Sequence, residues 1–184
     1  MEDLTLVIPA KFESESLPIF YKEITHLKCK KIIVLEKADH FTLEAIKNFK
    51  DLQIIFQEKK GYGAALIEGI KQVNTMFFCI INADGSMDPK YLSEMLGRIK
   101  SFNLDFLFAS RYEIKGGSED DSFLTKIGNY LFTKIGNIFF GLKITDILFT
   151  YVMGRTKNFN ELDLKSSDFT LCVEFPIKSN RKKY

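Results

Sequence analysis

Residues 76–81, with the sequence MFFCII, form an unbroken apolar run that stops abruptly at a polar turn. A run of this length bounded by turn residues is typical of a strand buried on both faces of a sheet. The turn that follows, residues 82–86 (NADGS), would then lie beyond the strand's carboxyl end, where open α/β sheets bind ligands. A carboxylate there, Asp84, can hold a hard divalent cation, and the cation can hold a diphosphate. Asp88 and Pro89 follow as the predicted N-cap and first residue of a helix.

The alternation of segments along the chain predicts the fold class. Apolar, strand-like segments lie at residues 4–8, 31–36, 52–56, 76–81 and 104–109. Helix-like segments lie between them, at residues 16–26, 42–49, 63–73 and 89–100. Strands that alternate with helices favour a parallel sheet covered by helices on both faces. We therefore expect an α/β fold, a Rossmann-like three-layer α/β/α sandwich with a mainly parallel central sheet.

Length and composition limit the alternatives. A chain of 184 residues is long enough for one domain with a sizeable core. A formal net charge of +2 gives no reason to expect a nucleic-acid partner. The three cysteines are distant in sequence and form no CxxC pair, which disfavours a disulfide framework or zinc site and indicates a reducing cytoplasm. No stretch reaches the ~18 to 20 apolar residues of a membrane span.

The pattern changes after Arg111. Residues 118–121 (SEDD) match a helix capping box, and an apolar segment then runs to about Phe140. Inside it the motif KIGN occurs twice, at residues 126–129 and 134–137. One interpretation is an amphipathic helix that packs on the core, with glycines allowing close approach. The other is a Phe-rich element beside an apolar acceptor or a membrane surface. We expect the first.

Six segments resemble, in order and spacing, the family 2 glycosyltransferases, in particular the dolichol-phosphate mannose synthase type. They are LTLVIPAKFESESLP, KIIVLEKADHFTLEAI, KKGYGAALIEGI, NADGSMDP, SRY and KITD. The resemblance implies a GT-A type fold and an inverting transfer of a sugar from a nucleotide diphosphate sugar. It also implies one catalytic domain over residues 1–184, with a nucleotide-binding half at about 1–111 and an acceptor half at about 112–184. Because family members normally continue further, we expect a domain shortened at its C-terminus.

The family's donor-binding residues carry over to the first two strands. Pro9, Ala10 and Glu13 match the segment that lines the nucleoside site, while Phe12 replaces an asparagine. Where the family has two aspartates that contact the base and ribose, the chain has Glu36 followed by a lysine. Glu36 retains hydrogen-bond acceptors for a base or ribose, whereas Lys37 inverts the second charge, so these residues leave the identity of the nucleoside open. The resemblance implies a UDP- or GDP-linked sugar.

The predicted diphosphate and metal site comes from two loops. Gly61 and Gly63 match the family's Gly-x-Gly-x-Ala segment, where glycines let the backbone approach an anionic group and the alternative is a tight turn into a helix. The acidic turn usually reads Asp-x-Asp in the family, and here Asn82 replaces the first aspartate. Asp84 matches the second and is the one charged ligand implied for Mg²⁺ or Mn²⁺.

Two further residues match family positions close to the phosphate groups and to the acceptor. Arg111 matches a family arginine placed near phosphate groups. Asp146 matches the aspartate that stands where a general base would, so it is the predicted catalytic residue. A phosphate acceptor is already ionised at neutral pH and needs less help from a base. With such an acceptor, Asp146 would orient more than it deprotonates. The resemblance implies a polyprenyl phosphate as the first acceptor, and a polysaccharide or small-molecule hydroxyl is the second.

We therefore expect a metal-dependent inverting glycosyltransferase, cytoplasmic and peripheral to the cytoplasmic face of a membrane. The basic tail at residues 179–184 (SNRKKY) suits anionic lipid headgroups. One alternative is a nucleotide-sugar binding module without turnover, which the replacements at Phe12 and Asn82 favour. A nucleotidyltransferase ranks last, because residues 9–16 do not form the Gly-rich, basic loop expected of one.

Overall fold

The computed structural model of the protein describes residues 1–112 and 123–184. Its strands are β1 (Leu4–Ala10), β2 (Lys30–Leu35), β3 (Gln53–Phe56), β4 (Phe77–Ile80), β5 (Phe106–Phe108) and β6 (Val152–Arg155). Its helices are α1 (Ser16–Ile24), α2 (His40–Ile46), α3 (Tyr62–Lys71), α4 (Leu92–Ser101), α5 (Phe123–Phe140), α6 (Thr156–Glu161) and α7 (Leu171–Arg181). A short 3₁₀ turn, Pro89–Tyr91, precedes α4.

The six strands form a single sheet in the order β3-β2-β1-β4-β6-β5. The first four strands in the chain pair in parallel, whereas β6 is antiparallel to both β4 and β5. The chain builds outward from β1 to β3 on one side and then returns to place β4 on the other side of β1. The order of the strands therefore reverses between β1 and β4, and ligands of open α/β sheets bind outside the carboxyl ends at such a switch point.

Helices cover both faces of this sheet, because side chains along a strand point alternately to opposite sides. On one face, Leu6 and Ile8 of β1 lie in a core built with helices α1, α2 and α4. On the other face, Val7 lies in a core built with α3, α6 and α7. Burial on both sides explains why β1, β2 and β4 read as nearly continuous apolar runs.

The structure confirms the predicted fold class, and the predicted strands and helices all occur with small shifts at their ends. Asp88 is an N-cap, since its side chain accepts a hydrogen bond from Lys90 N at 2.9 Å. The sequence interpretation did not include β6, α6 or α7. The predicted capping box at residues 118–121 lies outside the described residues. Within the described ranges no helix has the length and apolar character needed to cross a bilayer.

The expectation for α5 was wrong in one respect. The helix does pack on the molecule, and Gly136 does allow close approach, because a Cβ there would lie 2.8 Å from Ile147 Cδ1. However, within residues 126–140 of α5 the buried side chains, those of Asn129 and Thr133, are polar, whereas the large apolar side chains are exposed. The polarity of this helix is thus the reverse of that of an ordinary surface helix.

Candidate functional site

The predicted site residues gather at one edge of the sheet. The loops that follow β1 and β4 leave the sheet on either side of the switch point. Strand β5 runs in the same direction as β4, so residues 109–111 emerge at the same edge. Strand β6 runs the opposite way and begins there, so residues 146–151 also reach this edge. The topology therefore brings together four segments that are far apart in sequence.

The loop after β1 is held by helix α2 and by β2. Asp39, the N-cap of α2, accepts hydrogen bonds from the backbone N–H groups of Phe12 (2.7 Å) and Thr42 (3.1 Å). Burial raises the pKa of Asp39, but these hydrogen bonds outweigh it and leave the pKa below its usual value. Phe12 has a φ of 59°, in the left-handed region, and its ring is 73% exposed. The backbone of this loop is thus fixed by Asp39, and the Phe12 side chain is exposed beside it.

The remaining residues predicted near the nucleoside lie on either side of this loop. Pro9 and Ala10 are the last residues of β1 and pair with Val34 and Leu35 of β2. Glu36 follows β2 and forms an ion pair with Lys11, with 2.9 Å between Nζ and Oε1. Glu13 donates its backbone N–H to Thr42 Oγ1 at 3.0 Å. Glu13 and Glu36 are partly exposed, and contact of either carboxylate with a nucleoside stays a prediction.

The glycine loop packs against a later segment of the same chain. Gly61 has a φ of 114°, and a Cβ at this position would lie 2.2 Å from Ser167 O. A Cβ at Gly63 would lie 2.3 Å from Ser166 O. Ala64 N donates to Ser167 O at 2.9 Å, which fastens the two segments. The packing of residues 166–168 therefore explains why glycine occupies both positions, and direct contact of these glycines with a diphosphate stays a prediction.

Between the two glycines stands Tyr62, which the sequence interpretation did not single out. Its hydroxyl donates to Asn82 Oδ1 at 3.1 Å and lies 2.6 Å from Thr150 Oγ1. A phenol has a single hydrogen, so Thr150 is the donor of that second bond. Burial raises the pKa of Tyr62 well above its usual value, and its ring stacks on Phe169 at 4.8 Å. Tyr62 therefore fixes the amide of Asn82 and closes the floor of the site.

Asp84 lies at the exposed tip of the acidic turn. Its Oδ1 accepts two hydrogen bonds, from Ser86 N at 3.0 Å and from Ser86 Oγ at 2.6 Å. Oδ2 accepts none from the described residues. Those residues also contain no group of three or more His, Cys, Asp or Glu side chains arranged to hold a metal. A single exposed carboxylate suits Mg²⁺ or Mn²⁺ that keeps several waters and shares the oxygens of a bound diphosphate.

Arg111 and Asp146 form a bidentate ion pair at the base of the same edge. Arg111 Nε lies 2.8 Å from Asp146 Oδ2, and Nη2 lies 3.0 Å from Oδ1. Arg111 also donates its backbone N–H to Oδ2 at 3.2 Å. Asn129 Nδ2 donates to Oδ1 at 2.6 Å. The Asp146 carboxylate is fully buried, so both of its oxygens are engaged before any substrate is present.

Helix α5 positions the segment that carries Asp146. Thr133 Oγ1 accepts a hydrogen bond from Ile147 N at 3.2 Å, and Asn137 Nδ2 donates to Ile144 O at 2.9 Å. Asn129 Oδ1 is buried and has no hydrogen-bond partner within the described part of the chain. The two KIGN asparagines thus both serve this segment, a role that the repeat in the sequence did not reveal.

Comparison with known proteins agrees with this geometry. The model of the family described as Glycosyl transferase family 2 matches residues 5–163. The chain belongs to that family. An uncharacterized glycosyltransferase from Mycobacterium tuberculosis is 29% identical to this family 2 chain over 96 residues, which are 50% of the chain and 43% of that relative. An uncharacterized glycosyltransferase from Mycobacterium bovis matches to the same extent. The chain therefore spans less than half the length of the relatives that it matches.

Solved structures share the fold of this family 2 chain. Glucosyl-3-phosphoglycerate synthase from Mycobacterium tuberculosis, in complex with UDP, superposes with a TM-score of 0.72 at 12% identity, covering 97% of the chain and 65% of that protein. The same synthase with Mn²⁺, UDP-glucose and phosphoglyceric acid gives a TM-score of 0.70 at 11% identity, covering 97% and 65%. TarS 1–349 from S. aureus with UDP gives 0.65 at 16% identity, covering 94% and 54%.

Proposed function

We propose that this family 2 chain is the catalytic domain of an inverting glycosyltransferase that uses a nucleotide diphosphate sugar. The donor half is residues 1–111 and the acceptor half residues 112–184. The observation that carries the proposal is the convergence, at the switch point of the sheet, of the Phe12 loop, the Asp84 turn and the Arg111–Asp146 pair. The complexes of structural neighbours with UDP and UDP-glucose support a nucleotide sugar as donor.

The donor would lie across the carboxyl ends of β1 and β4. We propose that the nucleoside contacts the loop at residues 9–13 and Glu36, and that the diphosphate reaches the acidic turn and Arg111. A guanidinium held by two hydrogen bonds to a carboxylate has a fixed orientation, which favours recognition of phosphate oxygens. UDP- and GDP-linked sugars are the donors to test.

Mg²⁺ or Mn²⁺ is the proposed cofactor, and Asp84 would hold it. Such a cation would supply Lewis-acid stabilisation of the departing diphosphate. The hydrogen bonds from Ser86 fix the Asp84 carboxylate, and Tyr62 fixes the neighbouring amide of Asn82. Because Asn82 brings no charge, we expect weaker metal affinity than two aspartates would give. The complex of a structural neighbour with Mn²⁺ supports this choice of metal.

The surroundings of Asp146 favour an acceptor that arrives already ionised. Both Asp146 oxygens accept hydrogen bonds, so the carboxylate is poorly placed to remove a proton. A hydroxyl acceptor requires such a base, whereas a phosphate is largely ionised at neutral pH. We therefore propose that Asp146 chiefly orients Arg111 and that the acceptor oxygen belongs to a phosphate. A polyprenyl phosphate, as the dolichol-phosphate mannose synthase type uses, is the first candidate.

A second candidate function is a nucleotide-sugar binding module without turnover. The replacement of the first acidic-turn aspartate by Asn82 and the engagement of Asp146 favour it. The two functions predict the same ligand and differ only in chemistry.

The test is thermal unfolding of the protein with UDP- and GDP-sugars, each with and without Mn²⁺. We expect a metal-dependent rise in Tm that Asp84→Asn abolishes and Asn82→Asp increases, because these substitutions remove and add one carboxylate ligand. Glu94→Gln, which changes an exposed carboxylate on α4, is the matched control and should leave the shift unchanged. No shift with any nucleotide sugar would exclude both functions. If a nucleotide sugar does raise the Tm, release of nucleoside diphosphate on addition of a polyprenyl phosphate would identify an enzyme.

A further inference from the structure

Helix α5 has an apolar surface that the described fold does not cover. We call this surface the α5 apolar face; its residues are Ile127, Leu131, Phe132, Ile135, Ile138 and Phe139. Their exposed fractions run from 40% for Ile127 to 76% for Phe139. The spacing of four, three and one residues places them on one side of the helix.

The contrast with helix α4 shows how unusual this surface is. Helix α4 buries Leu92 and Ile99 completely in the core under the sheet. Helix α5 instead turns Asn129 and Thr133 inward, where they bind the segment that carries Asp146. Single exposed apolar side chains are common, but a contiguous row of six marks a surface that binds something.

Lys134 lies at the edge of this face, and other cations lie near the two ends of α5. The sequence of α5 contains two lysines, Lys126 and Lys134, and no aspartate or glutamate. Both lysines are exposed, and Lys134 Nζ lies 5.4 Å from the centre of the Tyr130 ring. At the carboxyl end of the helix, the Arg181 guanidinium lies 5.9 Å from the centre of the Phe140 ring. Lys182 and Lys183 follow and are exposed.

An apolar helix face with a lysine at its edge, on a helix without acidic residues, complements an anionic membrane surface. Such helices lie in the plane of the interface, with the apolar face among the upper acyl chains and the cations near the headgroups. A second copy of the chain is a poorer fit, since packing this face against itself would bring cations next to cations.

We propose that α5 binds the surface of an anionic membrane through the α5 apolar face, with Lys134 near the lipid headgroups. The helix has 18 residues and is therefore about 27 Å long. It would lie flat along the interface. If the proposed function holds, this docking also brings the Arg111–Asp146 pair close to the bilayer, where a lipid-linked phosphate is found.

The first test is co-sedimentation of the protein with vesicles of phosphatidylcholine alone and of phosphatidylcholine mixed with phosphatidylglycerol. We expect binding to the anionic vesicles, and a loss of about tenfold or more in affinity when Leu131→Gln and Ile138→Gln remove two apolar contacts. Phe102→Gln is the matched control, because Phe102 is 70% exposed but lies at the end of α4. This control should bind like the wild type.

The second test concerns charge. The substitution Lys134→Gln keeps the apolar face, and we expect it to weaken binding to anionic vesicles and to reduce the loss caused by added salt. Circular dichroism and the Tm of each variant verify that it is folded. This variant keeps the test informative even where the Leu131 and Ile138 substitutions alter the fold.

Three results would overturn the proposal. The first is that the wild type does not bind anionic vesicles. The second is that Phe102→Gln loses as much vesicle affinity as the Leu131 and Ile138 substitutions. The third is that the protein does not bind vesicles but forms a dimer, seen by light scattering, which the Leu131 and Ile138 substitutions dissociate. The last result would assign the face to a second copy. The thermal shift with UDP- and GDP-sugars is measured separately in lipid-free solution, so failure of membrane binding is distinguishable from failure of the donor site.

Discussion

At the scale of single residues, the Arg111–Asp146 pair shows how a buried charge is stabilised inside a protein. An isolated buried carboxylate is costly, and a guanidinium with a matching fork offsets that cost only when the geometry is good. Here two charged hydrogen bonds of 2.8 and 3.0 Å and a third from Asn129 complete the arrangement. Removing either member would therefore break this bidentate arrangement.

We predict that Asp146→Asn lowers the free energy of unfolding by about 3 kcal/mol or more, because it breaks a bidentate ion pair whose carboxylate is fully buried. Urea unfolding measures this loss. A double-mutant cycle with Arg111→Gln should give a coupling energy well above that of an exposed pair such as Glu94–Arg98, which is the control. In turnover assays, weaker donor binding by Asp146→Asn would support a role of Asp146 in orienting Arg111. A fall in kcat alone, with unchanged KM and unfolding, would contradict that role and assign Asp146 as the base.

Residues of this site differ in how far the sequence reveals them. Asp84 was predictable because it follows a buried strand in the chain, and that order places it at the sheet edge. Tyr62 and Asn129 were not, because their importance comes from contacts across 20 and 17 residues of sequence. A tyrosine between two glycines and an asparagine in a helix are compatible with ordinary solvated positions, so only the folded arrangement distinguishes them.

At the scale of elements, the start of α3 depends on a segment that comes a hundred residues later. Residues 166–168 cover the glycine loop so closely that only glycine fits at position 63. The glycines therefore serve the docking of two segments of the chain.

We predict that Gly63→Ala destabilises the fold by about 2 kcal/mol or more, since the new methyl group must displace the Ser166 and Asp168 backbone. Gly97→Ala on α4 is the matched control, because nothing lies within 4 Å of its Cβ position. There we expect a gain of about 0.5 to 1 kcal/mol from helix propensity. Chemical unfolding of both variants measures the difference. Equal effects would show that the glycine loop is not packed as described.

The sequence patterns recovered five strands and missed β6. The five strands have apolar runs with clear polar boundaries, whereas β6, with the sequence VMGR, is short and contains a glycine. Gly154 fits because Phe106 and Phe78 fill the space where a side chain would be. The reversed polarity of α5 was likewise hidden, since periodicity reveals that a helix has two faces and does not say which one is buried.

At the scale of the whole molecule, Glu174 ties α7 to the segment that covers the glycine loop. Its carboxylate accepts hydrogen bonds from the backbone N–H groups of Lys165 and Ser166 at 2.8 to 3.0 Å. It also pairs with Lys178 at 2.8 Å. Burial raises the pKa of Glu174, but these partners outweigh it and lower the pKa from 4.5 to about 2.

We predict a pH-dependent contribution of Glu174 to stability. Because its pKa is lower in the folded state, this contribution is complete above the unfolded pKa of 4.5 and is lost as the pH falls toward about 2. Its size is about 3 kcal/mol. Glu174→Gln should therefore lower Tm at pH 7 and flatten the fall in Tm between pH 5 and 2. Glu94→Gln, an exposed carboxylate, should retain the wild-type pH profile. Parallel curves of Tm against pH for the wild type and Glu174→Gln would refute this contribution of Glu174 to stability.

The place of β6 in the sheet also bears on how the chain is made. Strand β6 separates β4 from β5, yet it is synthesised last of the three. Until residues 152–155 leave the ribosome, the backbone of β4 has one bare edge and β5 has no partner strand. Pairing that spans such long sequence separations slows folding, and a bare apolar edge attracts other chains. A nascent chain of this protein would thus depend on rapid completion, or on a chaperone, during synthesis of the region between β5 and β6.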